Sequence, residues 1–488
     1  MTWRRALNIR SLLLFAGTAS LTAFAEPDNF KSDNLSEKPA GGFVRVDFSK
    51  ENGPVKPMNA VNNGPEGNGG TFRRGNAPEF RAANIPFART HDSSEYIVYG
   101  GDHVVDVTAV FPRFEADEND PANYDFAVTD AYMNRIRSVG TEPFYRLGQR
   151  IEHAARRYNI FPPADYLKWA RICEHIIRHY NEGWSKGFHH RIRYWEIWNE
   201  PDLDCDSKTQ PHTWGGTPEQ FFAFYAVAAK YLKGRFPDLR IGGPAIAGSL
   251  KWGEDFLRYQ QAQGTPMDFF SWHIYAREPN AITQKARNFR ELMTKYGYGS
   301  SESILNEWNY IKGWRENYYY SARTIGEQKG AAFVAATMSA CQKAPVDMLM
   351  YYNAQPTVIF NGLFDGIGLQ PLKGYYAMYS WGKLLRLGTA VDSSADASDL
   401  YVTAACNKKD RYAIFLARYS DDDNVSTPKP IRVKVMGASL PDEVYAHMTD
   451  ETRMHTEMPI EKAEDGLKLV LPPRSFALVE FRSMEEKK

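Results

Sequence analysis

Residues 194–201 have the sequence Tyr194-Trp195-Glu196-Ile197-Trp198-Asn199-Glu200-Pro201. The apolar and aromatic residues predict a buried strand, which the polar pair Asn199-Glu200 and then Pro201 end abruptly. A carboxylate is costly to place at the mouth of an apolar strand unless it has a function. A second strand of this kind lies downstream, at Ser303-Ile304-Leu305-Asn306-Glu307-Trp308-Asn309-Tyr310. Two glutamates at the carboxyl ends of two strands predict a hydrolase that uses two carboxylates.

The segments around these strands alternate between short apolar runs and longer amphipathic ones. Helices are predicted at 165–180, at 282–296, at 326–341 and after the capping box Thr217-Pro218-Glu219-Gln220, where Gly234 is expected to stop the helix. Such alternation implies parallel pairing with right-handed crossovers, and about eight units favour a closed (β/α)8 TIM barrel. No G-x-G-x-x-G follows the first strand, which disfavours a dinucleotide-binding sheet. The other predicted strands are 85–91, 143–147, 239–243, 268–275 and 347–352.

The pattern changes after residue 388, where short runs alternate with period 2 between Asp, Asn, Pro and Gly. This pattern predicts an appended C-terminal β-sandwich. Residues 43–48 alternate as well, and they are a candidate strand of the sandwich rather than of the barrel. The predicted domains are a catalytic barrel at 43–388 and the sandwich at 389–488. The strands predicted for the sandwich are 399–405, 412–418, 431–435, 466–471 and 475–481.

The amino terminus has the features of a secretory signal peptide. Arg4, Arg5 and Arg10 form a positive region, an apolar run occupies 11–25, and Ala23-Phe24-Ala25 is an A-x-A cleavage site. We therefore predict a signal peptide at 1–25, a flexible tether at 26–42, and a protein exported to the periplasm or the medium. No membrane span is expected, because no later segment combines the required length with an absence of charges.

Composition limits the classes of partner. Lys+Arg and Asp+Glu both number 59, so net charge marks no surface for nucleic acid or an anionic membrane. Aromatic residues make up 14% of the chain, which fits either a large core or flat platforms for sugar rings. Export permits disulfides, but the sequence leaves the pairing of the cysteines open. Cys173 is expected to be a buried thiol, and Cys205 is a candidate for a bond near Glu200; the other cysteines are Cys341 and Cys406.

In a parallel barrel, chemistry gathers at the carboxyl ends of the strands. Glycosidic cleavage needs an acid that protonates the leaving oxygen and a carboxylate that faces the anomeric carbon. Burial and the second carboxylate should raise the pKa of the acid, while a cation such as Arg89 should keep the other carboxylate ionised. Asn199 is placed to bind a sugar 2-hydroxyl. The predicted strand ends carry Arg89, His91, Asn199, Glu200, His273, Tyr275, Glu307 and Asn309.

A pair of histidines raises the question of a metal site. His175 and His179 lie four residues apart on a predicted helix, a spacing that suits metal ligands. No H-E-x-x-H motif surrounds them, so we expect a solvated helix face instead. No metal and no cofactor is predicted.

The chain resembles family 39 of the glycoside hydrolases, in the clan of retaining (β/α)8 glycosidases that use two glutamates. Trp198-Asn199-Glu200-Pro201 resembles the family's W-N-E-P acid/base motif, and Leu305-Asn306-Glu307-Trp308-Asn309 resembles its nucleophile strand. Further segments that resemble the family follow in the family's order, namely Arg89-Thr90-His91, 162–169, 241–245 and 268–273. The resemblance covers residues 43–485.

The resemblance implies Glu200 as the acid/base and Glu307 as the nucleophile. It also implies sugar contacts by Arg89, His91, Asn199 and His273, and we add Tyr275 because it ends the same strand as His273. The sequence departs from the β-xylosidases of the family, which carry an acidic pair near the eighth strand, because residues 351–356 contain no acid. Trp272 also stands where an Arg is typical, so the glycone pocket is expected to be altered.

These observations predict an exported retaining glycosidase that cleaves oligosaccharides or polysaccharide fragments by double displacement. Exo action on xylose- or L-arabinose-containing substrates is the first hypothesis. The alternatives are a hexose glycone, endo action, or a carbohydrate-binding relative without catalysis. The anomeric preference and the oligomeric state stay open.

Overall fold

The computed structural model describes residues 41–67, 74–91, 105–204, 211–356 and 359–482. The predicted signal peptide, Cys205 and residues 26–40 of the predicted tether lie outside the described residues. Strand β1 (Gly42–Pro54) opens the described part of the chain. The helices are α1 (Ala77–Ala82), α2 (Val107–Val110), α3 (Ala127–Ser138), α4 (Tyr166–Glu182), α5 (Pro218–Arg235), α6 (Leu250–Ala262), α7 (Pro279–Lys295), α8 (Tyr318–Gly326), α9 (Gln328–Gln342) and α10 (Lys373–Leu387).

Eight strands form a closed barrel in which each strand pairs in parallel with the next along the chain. The eighth strand pairs back to the first, which closes the barrel. The predicted (β/α)8 barrel is therefore confirmed. Its strands are β2 (Ala60–Asn62), β3 (Phe87–Arg89), β4 (Glu142–Leu147), β5 (Tyr194–Ile197), β6 (Arg240–Ile246), β7 (Phe269–Ala276), β8 (Glu302–Tyr310) and β9 (Met348–Tyr351).

The helix boundaries follow local capping chemistry. The Asp165 side chain accepts the N–H of Lys168 at the start of α4, and Gly183 ends this helix in the left-handed conformation with φ 77°. The predicted capping box opens α5, with Thr217 and Gln220 bonded reciprocally. Gly234 does not stop α5, contrary to the prediction, because the helix continues through it to Arg235. One glycine lowers helix propensity by only about 1 kcal/mol, which packing readily offsets.

Side chains that face the barrel interior form an apolar layer below a polar one. Successive residues of a strand point to opposite faces. The residue that a strand contributes to the upper layer therefore lies two positions after the residue that it contributes to the lower layer. The apolar layer consists of Ala60, Phe87, Phe144, Tyr194, Phe269, Ile304 and Met348, and Met350, two residues after Met348, belongs to the same apolar cluster at the level of the polar groups. The polar layer contains Asn62, Arg89, Glu196, Ser271 and Asn306, which hydrogen bonds join beneath the candidate site.

A second, all-β unit follows the barrel, and β1 belongs to it. Strand β1 pairs antiparallel with the first strand of this unit and parallel with the fourth. The nine strands form one closed hydrogen-bonded ring, so the all-β prediction is confirmed, while the division into two packed sheets stays a prediction. The remaining strands are β10 (Thr389–Ala395), β11 (Leu400–Cys406), β12 (Arg411–Arg418), β13 (Lys429–Met436), β14 (Val444–Thr449), β15 (Thr456–Ala463), β16 (Gly466–Leu471) and β17 (Ser475–Arg482).

Four strands were not predicted from the sequence. Strand β2 is only three residues long, too short to show a period, and β10 mixes polar and apolar residues without clear alternation. Strand β15 contains Pro459 and is mostly exposed, so neither its composition nor its pattern indicated a strand. Strand β14 is the fourth, a six-residue run that pairs with β15 and β17.

The histidines on α4 are not on a solvated face, so that prediction is wrong. His179 is 2% exposed and His175 is 6% exposed. The His179 ring stacks on Phe126 with centroids 3.6 Å apart, and its Nε2 lies 2.9 Å from Oδ1 of Asp130. Burial against aromatic rings therefore explains the pair better than metal binding does.

Two further sequence predictions can be compared with the described residues. Cys173, Cys341 and Cys406 are free thiols in buried positions, as predicted for Cys173. Among the described residues, no helix has both the length and the apolar character needed to cross a bilayer.

Candidate active site

Glu200 and Glu307 lie together at the carboxyl ends of the fourth and seventh barrel strands. Glu200 follows β5, and Glu307 is in β8. Both side chains are more than nine-tenths buried, with residue exposures of 7% and 5%. One oxygen of each carboxylate and one nitrogen of His273 all lie within 4.8 Å of one another. The two glutamates singled out in the sequence thus form one site.

A tight turn after β5 places the Glu200 side chain. Trp198 and Glu200 have left-handed backbones, with φ 76° and 48°. Non-glycine residues in this region are strained by about 1–3 kcal/mol each and need support from their surroundings. That support comes from the N–H of Trp198, which donates to the Leu147 carbonyl at 2.7 Å, and the N–H of Glu200, which donates to the Ala245 carbonyl at 2.8 Å.

His273 bridges the two glutamates. Its Nδ1 lies 2.7 Å from Oε1 of Glu200 and 3.4 Å from Oε2 of Glu307. Burial lowers the pKa of His273 to about 4, although the charge of Glu307 acts in the opposite direction. The ring is therefore neutral at neutral pH, so it holds the glutamates by hydrogen bonding rather than as a cation.

Glu307 is surrounded by hydrogen-bond donors. The hydroxyl of Tyr275 donates to its Oε1 at 2.5 Å, and Nη1 of Arg89 lies 3.4 Å from its Oε2. Burial raises the pKa of Glu307 to about 7, and the charge of Glu200 raises it as well, while His273, Arg89 and Tyr275 lower it. A raised pKa was predicted for the acid, whereas the raised pKa that burial gives Glu307 falls on the nucleophile candidate.

Arg89 lies beneath the carboxylate pair and is fully buried. Its Nε donates to Oε2 of Glu196 at 2.7 Å, its Nη1 to Oδ1 of Asn62 at 3.1 Å, and its Nη2 to Oδ1 of Asn199 at 2.7 Å. All three nitrogens have protein partners. The structure therefore places Arg89 in a supporting position beneath the pair, and its contact with sugar stays a prediction.

Glu196 is a residue of the site that the sequence analysis did not single out. It is fully buried, and its Oε1 accepts hydrogen bonds from Oγ of Ser271 at 2.6 Å and from Nδ2 of Asn306 at 2.5 Å. The signal in the sequence was a carboxylate inside an otherwise apolar strand. Glu196 balances the charge of Arg89 and thereby fixes the cation under Asn199 and Glu307.

The other predicted substrate-binding residues occupy different positions around the pair. Asn199 is 1% exposed; Arg89 orients its amide, and its Nδ2 has no hydrogen-bond partner among the described residues. His91 is buried two residues beyond Arg89, at the same end of the barrel. Tyr275 contacts Glu307 directly, and Asn309 donates to the carbonyl of Tyr352 at 2.6 Å. Asn199 is therefore the predicted residue that is best prepared to donate to a ligand.

The spacing of Glu200, His273 and Glu307 would also suit a metal ion. The guanidinium of Arg89 lies 3.4 Å from the same Glu307 oxygen that faces His273. A second cation at this position would be repelled by Arg89. The donor arrangement therefore fits a hydrogen-bonded carboxylate pair better than a metal centre.

The sequence matches the family model of glycosyl hydrolases family 39 over residues 45–311, more than half of the 488 residues. The chain belongs to this family. The matched range begins in β1 and ends just after β8, so it includes both glutamates of the candidate site.

Two β-xylosidases are among the sequence relatives of this family 39 chain. That of Caldicellulosiruptor saccharolyticus is 30% identical over 183 residues, which cover 36% of this chain and 35% of the relative. That of Geobacillus stearothermophilus is 29% identical over 181 residues, 35% of this chain and 34% of the relative. The chain thus matches about a third of the length of these relatives.

Solved structures resemble the family 39 chain over nearly its whole length. A glucosidase from Croceicoccus marinus has a TM-score of 0.72 with 21% identity, and the alignment covers 91% of this chain and 99% of that one. A monomeric β-xylosidase from Caulobacter crescentus CB15 has a TM-score of 0.65 with 16% identity, and the alignment again covers 91% of this chain and 99% of that one. At such identities the likeness concerns the fold.

Proposed function

We propose that this chain is a retaining glycoside hydrolase that cleaves glycosidic bonds by double displacement. Glu200 is the acid/base and Glu307 is the nucleophile. Membership of family 39 and the two β-xylosidase relatives support the reaction class. The burial of both glutamates at one end of the barrel supports the site.

The observation that carries the proposal is the separation of the two carboxylates. Their nearest ligand oxygens lie within 4.8 Å of each other. Retaining glycosidases have carboxyl groups about 5–5.5 Å apart, whereas inverting enzymes need about 6.5–9.5 Å to fit a water molecule. A pair of carboxylate oxygens this close supports the shorter, retaining separation, so direct attack by a carboxylate fits the geometry.

The surroundings of each glutamate support the two roles. Tyr275 and Arg89 direct donors at Glu307, and these contacts stabilise its ionised form. Protonation of Glu200 removes the negative charge that helps to raise the pKa of Glu307. The proposed mechanism requires a single proton on the pair, with the proton on Glu200 and the charge on Glu307.

Two displacements follow from this protonation state. The ionised Glu307 attacks the anomeric carbon while the bond to the leaving oxygen breaks and Glu200 transfers its proton to that oxygen. Glu200, now ionised, then takes a proton from water, whose oxygen displaces Glu307 from the anomeric carbon. The Nδ2 of Asn199 is placed to donate to the sugar 2-hydroxyl, a contact that strengthens in the transition state.

For the substrate we propose a pentose glycone, xylose or L-arabinose, released from oligosaccharides by exo action. The names of the two sequence relatives support xylose. Residues 352–356, directly after β9, include Asn353 and Gln355 but no acid, which favours testing a hexose glycone beside the pentoses. A panel of nitrophenyl xylosides, arabinosides, glucosides and galactosides decides between them; turnover of only the hexosides would overturn the pentose proposal.

The mechanism is tested with a 2-fluoro sugar that has a good leaving group, because such a sugar slows the second displacement and traps the intermediate. We expect a covalent glycosyl adduct on Glu307, found by peptide mass spectrometry, and retained configuration in the first product by NMR. Labelling of another residue, or inversion, would overturn the mechanism. Tight binding of every aryl glycoside without turnover would favour a carbohydrate-binding relative instead.

Export is part of the proposal, and it rests on the sequence features of residues 1–25. Expression of the full chain in a Gram-negative host should give a mature amino terminus near Glu26 in the periplasmic fraction. An uncleaved chain retained in the cytoplasm would contradict this part alone.

A further inference from the structure

A loop of the all-β unit reaches the ends of two barrel strands of the candidate site. This loop, residues 419–423, directly follows β12. It is called the tether loop and is separate from the flexible segment predicted at 26–42. The hydroxyl of Tyr419 donates to the carbonyl of Arg277 at 2.5 Å, and the hydroxyl of Tyr310 donates to Oδ1 of Asp421 at 2.6 Å. Arg277 is the first residue after β7, and Tyr310 is the last residue of β8. One loop therefore holds both strands at their carboxyl ends.

Buried charges strengthen this contact. Asp421 is 7% exposed, and Nζ of Lys329 lies 2.8 Å from its Oδ1 and donates to its carbonyl at 2.6 Å. Lys329 also contacts Oδ1 of Asp423 at 3.0 Å, and two further cations, Lys312 and Arg277, lie 3.5 Å and 3.9 Å from Oδ2 of Asp421. Lys329 and Asp421 form the buried pair of this network, and removal of either leaves an uncompensated buried charge, so the contact resists local movement.

The tethered strands carry the groups around the nucleophile. Strand β7 supplies His273 and Tyr275, and β8 supplies Glu307. His273 pairs with Glu307 in the strand register, immediately after an irregularity that follows Trp272. The 2.5 Å hydrogen bond from Tyr275 to Glu307 depends on the relative position of the two strands. The tether contacts each strand within three residues of this bond.

We propose that the tether loop is a positioning element for the nucleophile, with Asp421 and Tyr310 as its positioning residues. It keeps β7 and β8 in the register that joins Tyr275 to Glu307, which gives the all-β unit a part in catalysis. This inference rests on the proposed retaining mechanism. It adds that the site depends on a domain that contributes no residue to the carboxylate pair.

The test uses Asp421→Asn and Tyr310→Phe in the full chain. Asp421→Asn weakens the charged contacts, and Tyr310→Phe removes only one hydroxyl and keeps the ring in the core. We expect kcat to fall about 10- to 100-fold with little change in KM, because a small displacement of a reacting group lowers the rate of the chemical step by about this factor. The acid limb of the kcat/KM profile should move to higher pH, because a weaker Tyr275 hydrogen bond removes a contribution that lowers the Glu307 pKa.

The matched control is Asp399→Asn in the same unit. Asp399 pairs with Arg418 and Lys429 within the all-β unit. We expect this variant to lower the melting temperature but to keep kcat and the pH profile. Native kinetics in both tether variants, or the same profile shift in the control, would overturn the proposal. Should Asp421→Asn fail to fold, Tyr310→Phe alone decides the outcome.

The experiments distinguish a wrong assignment of the tether loop from a wrong catalytic mechanism. Labelling of wild-type Glu307 by a 2-fluoro sugar, at a rate that the tether variants leave unchanged, rejects the tether only. The absence of labelling on wild-type Glu307 rejects the mechanism itself.

Discussion

The hydroxyl of Tyr275 donates a 2.5 Å hydrogen bond to Oε1 of Glu307. This bond joins neighbouring barrel strands and stabilises a negative charge on the carboxylate. It is one of three contacts, with Arg89 and His273, that lower the pKa of Glu307 against the effect of burial. The ionised nucleophile therefore depends on contacts from several strands.

Removal of the Tyr275 hydroxyl should weaken the nucleophile. A hydrogen bond to a charged group contributes about 1.5–3 kcal/mol, so Tyr275→Phe should lower kcat/KM by about 10- to 150-fold. Steady-state kinetics with a nitrophenyl glycoside measure the effect. Tyr298→Phe is the control, because its buried hydroxyl bonds the Thr265 carbonyl and has no described contact with the carboxylate pair. Equal losses in both variants would contradict a specific role for Tyr275.

Replacement of Glu200 should affect substrates according to their leaving groups. A leaving group of low pKa departs without a proton, so Glu200→Ala should spare the first displacement for dinitrophenyl glycosides. For alkyl glycosides or natural disaccharides, we expect a loss of about 100- to 10,000-fold, the usual contribution of general acid catalysis. The kcat/KM values of both substrate kinds check this prediction, and equal losses would remove Glu200 from the role of acid.

Stability and activity should respond to pH in opposite directions through Glu307. Its pKa is raised from 4.5 to about 7, so the folded protein binds more protons than the unfolded chain between these values. The contribution of Glu307 to stability is therefore lost as pH rises through this window, while activity, which needs the ionised form, increases. The lowered pKa of His273, about 4, gives the opposite slope below pH 6.5.

Comparison with the variant Glu307→Gln separates the pH dependence of stability that is due to Glu307 from the part that is due to His273. The difference in unfolding free energy, variant minus wild type, should increase from pH 4.5 to pH 7 because the variant cannot ionise at this position. Urea unfolding at several pH values measures it. A difference that does not change with pH would contradict the raised pKa.

Loss of the Glu196 charge should destabilise the barrel. Glu196 and Arg89 are both fully buried and 2.7 Å apart, and removal of one member of such a pair costs about 3–5 kcal/mol. Glu196→Gln should therefore lower the unfolding free energy by about that amount. The matched control is Glu142→Gln, which breaks a partly exposed pair with Arg193 worth about 0–1 kcal/mol. Similar losses in both would show that Glu196 does not balance a buried charge.

Local patterns were sufficient to predict much of the fold. The capping box at Thr217 and Gln220 opens α5 where expected, because capping depends on residues three positions apart. The strand before Asn199-Glu200 and the strand around Glu307 are both buried barrel strands, as their apolar runs indicated. Strand β2 was missed because three residues cannot display a period.

The site was predictable in its residue types but not in its contacts. Two glutamates after apolar strands indicated a carboxylate pair because an isolated buried carboxylate is unfavourable. Arg89 was predicted as a cation near the second carboxylate, and it lies 3.4 Å from Glu307. Its contacts with Glu196 and Asn199 were not predicted, since these residues come from another strand and the loop after it, more than one hundred residues away in the sequence. His179 was expected in solvent, yet Phe126 and Asp130 bury it from a different helix and the segment before it.

The sequence by itself determined the alternation of strands and helices, the two glutamates and the family of this chain. Tertiary structure alone decided that His273 bridges the glutamates, that Arg89 lies beneath them, and that residues 419–423 hold the ends of β7 and β8. The physical reason is range: propensity and capping act over a few residues, whereas burial, charge balance and pKa shifts depend on groups that only folding brings together.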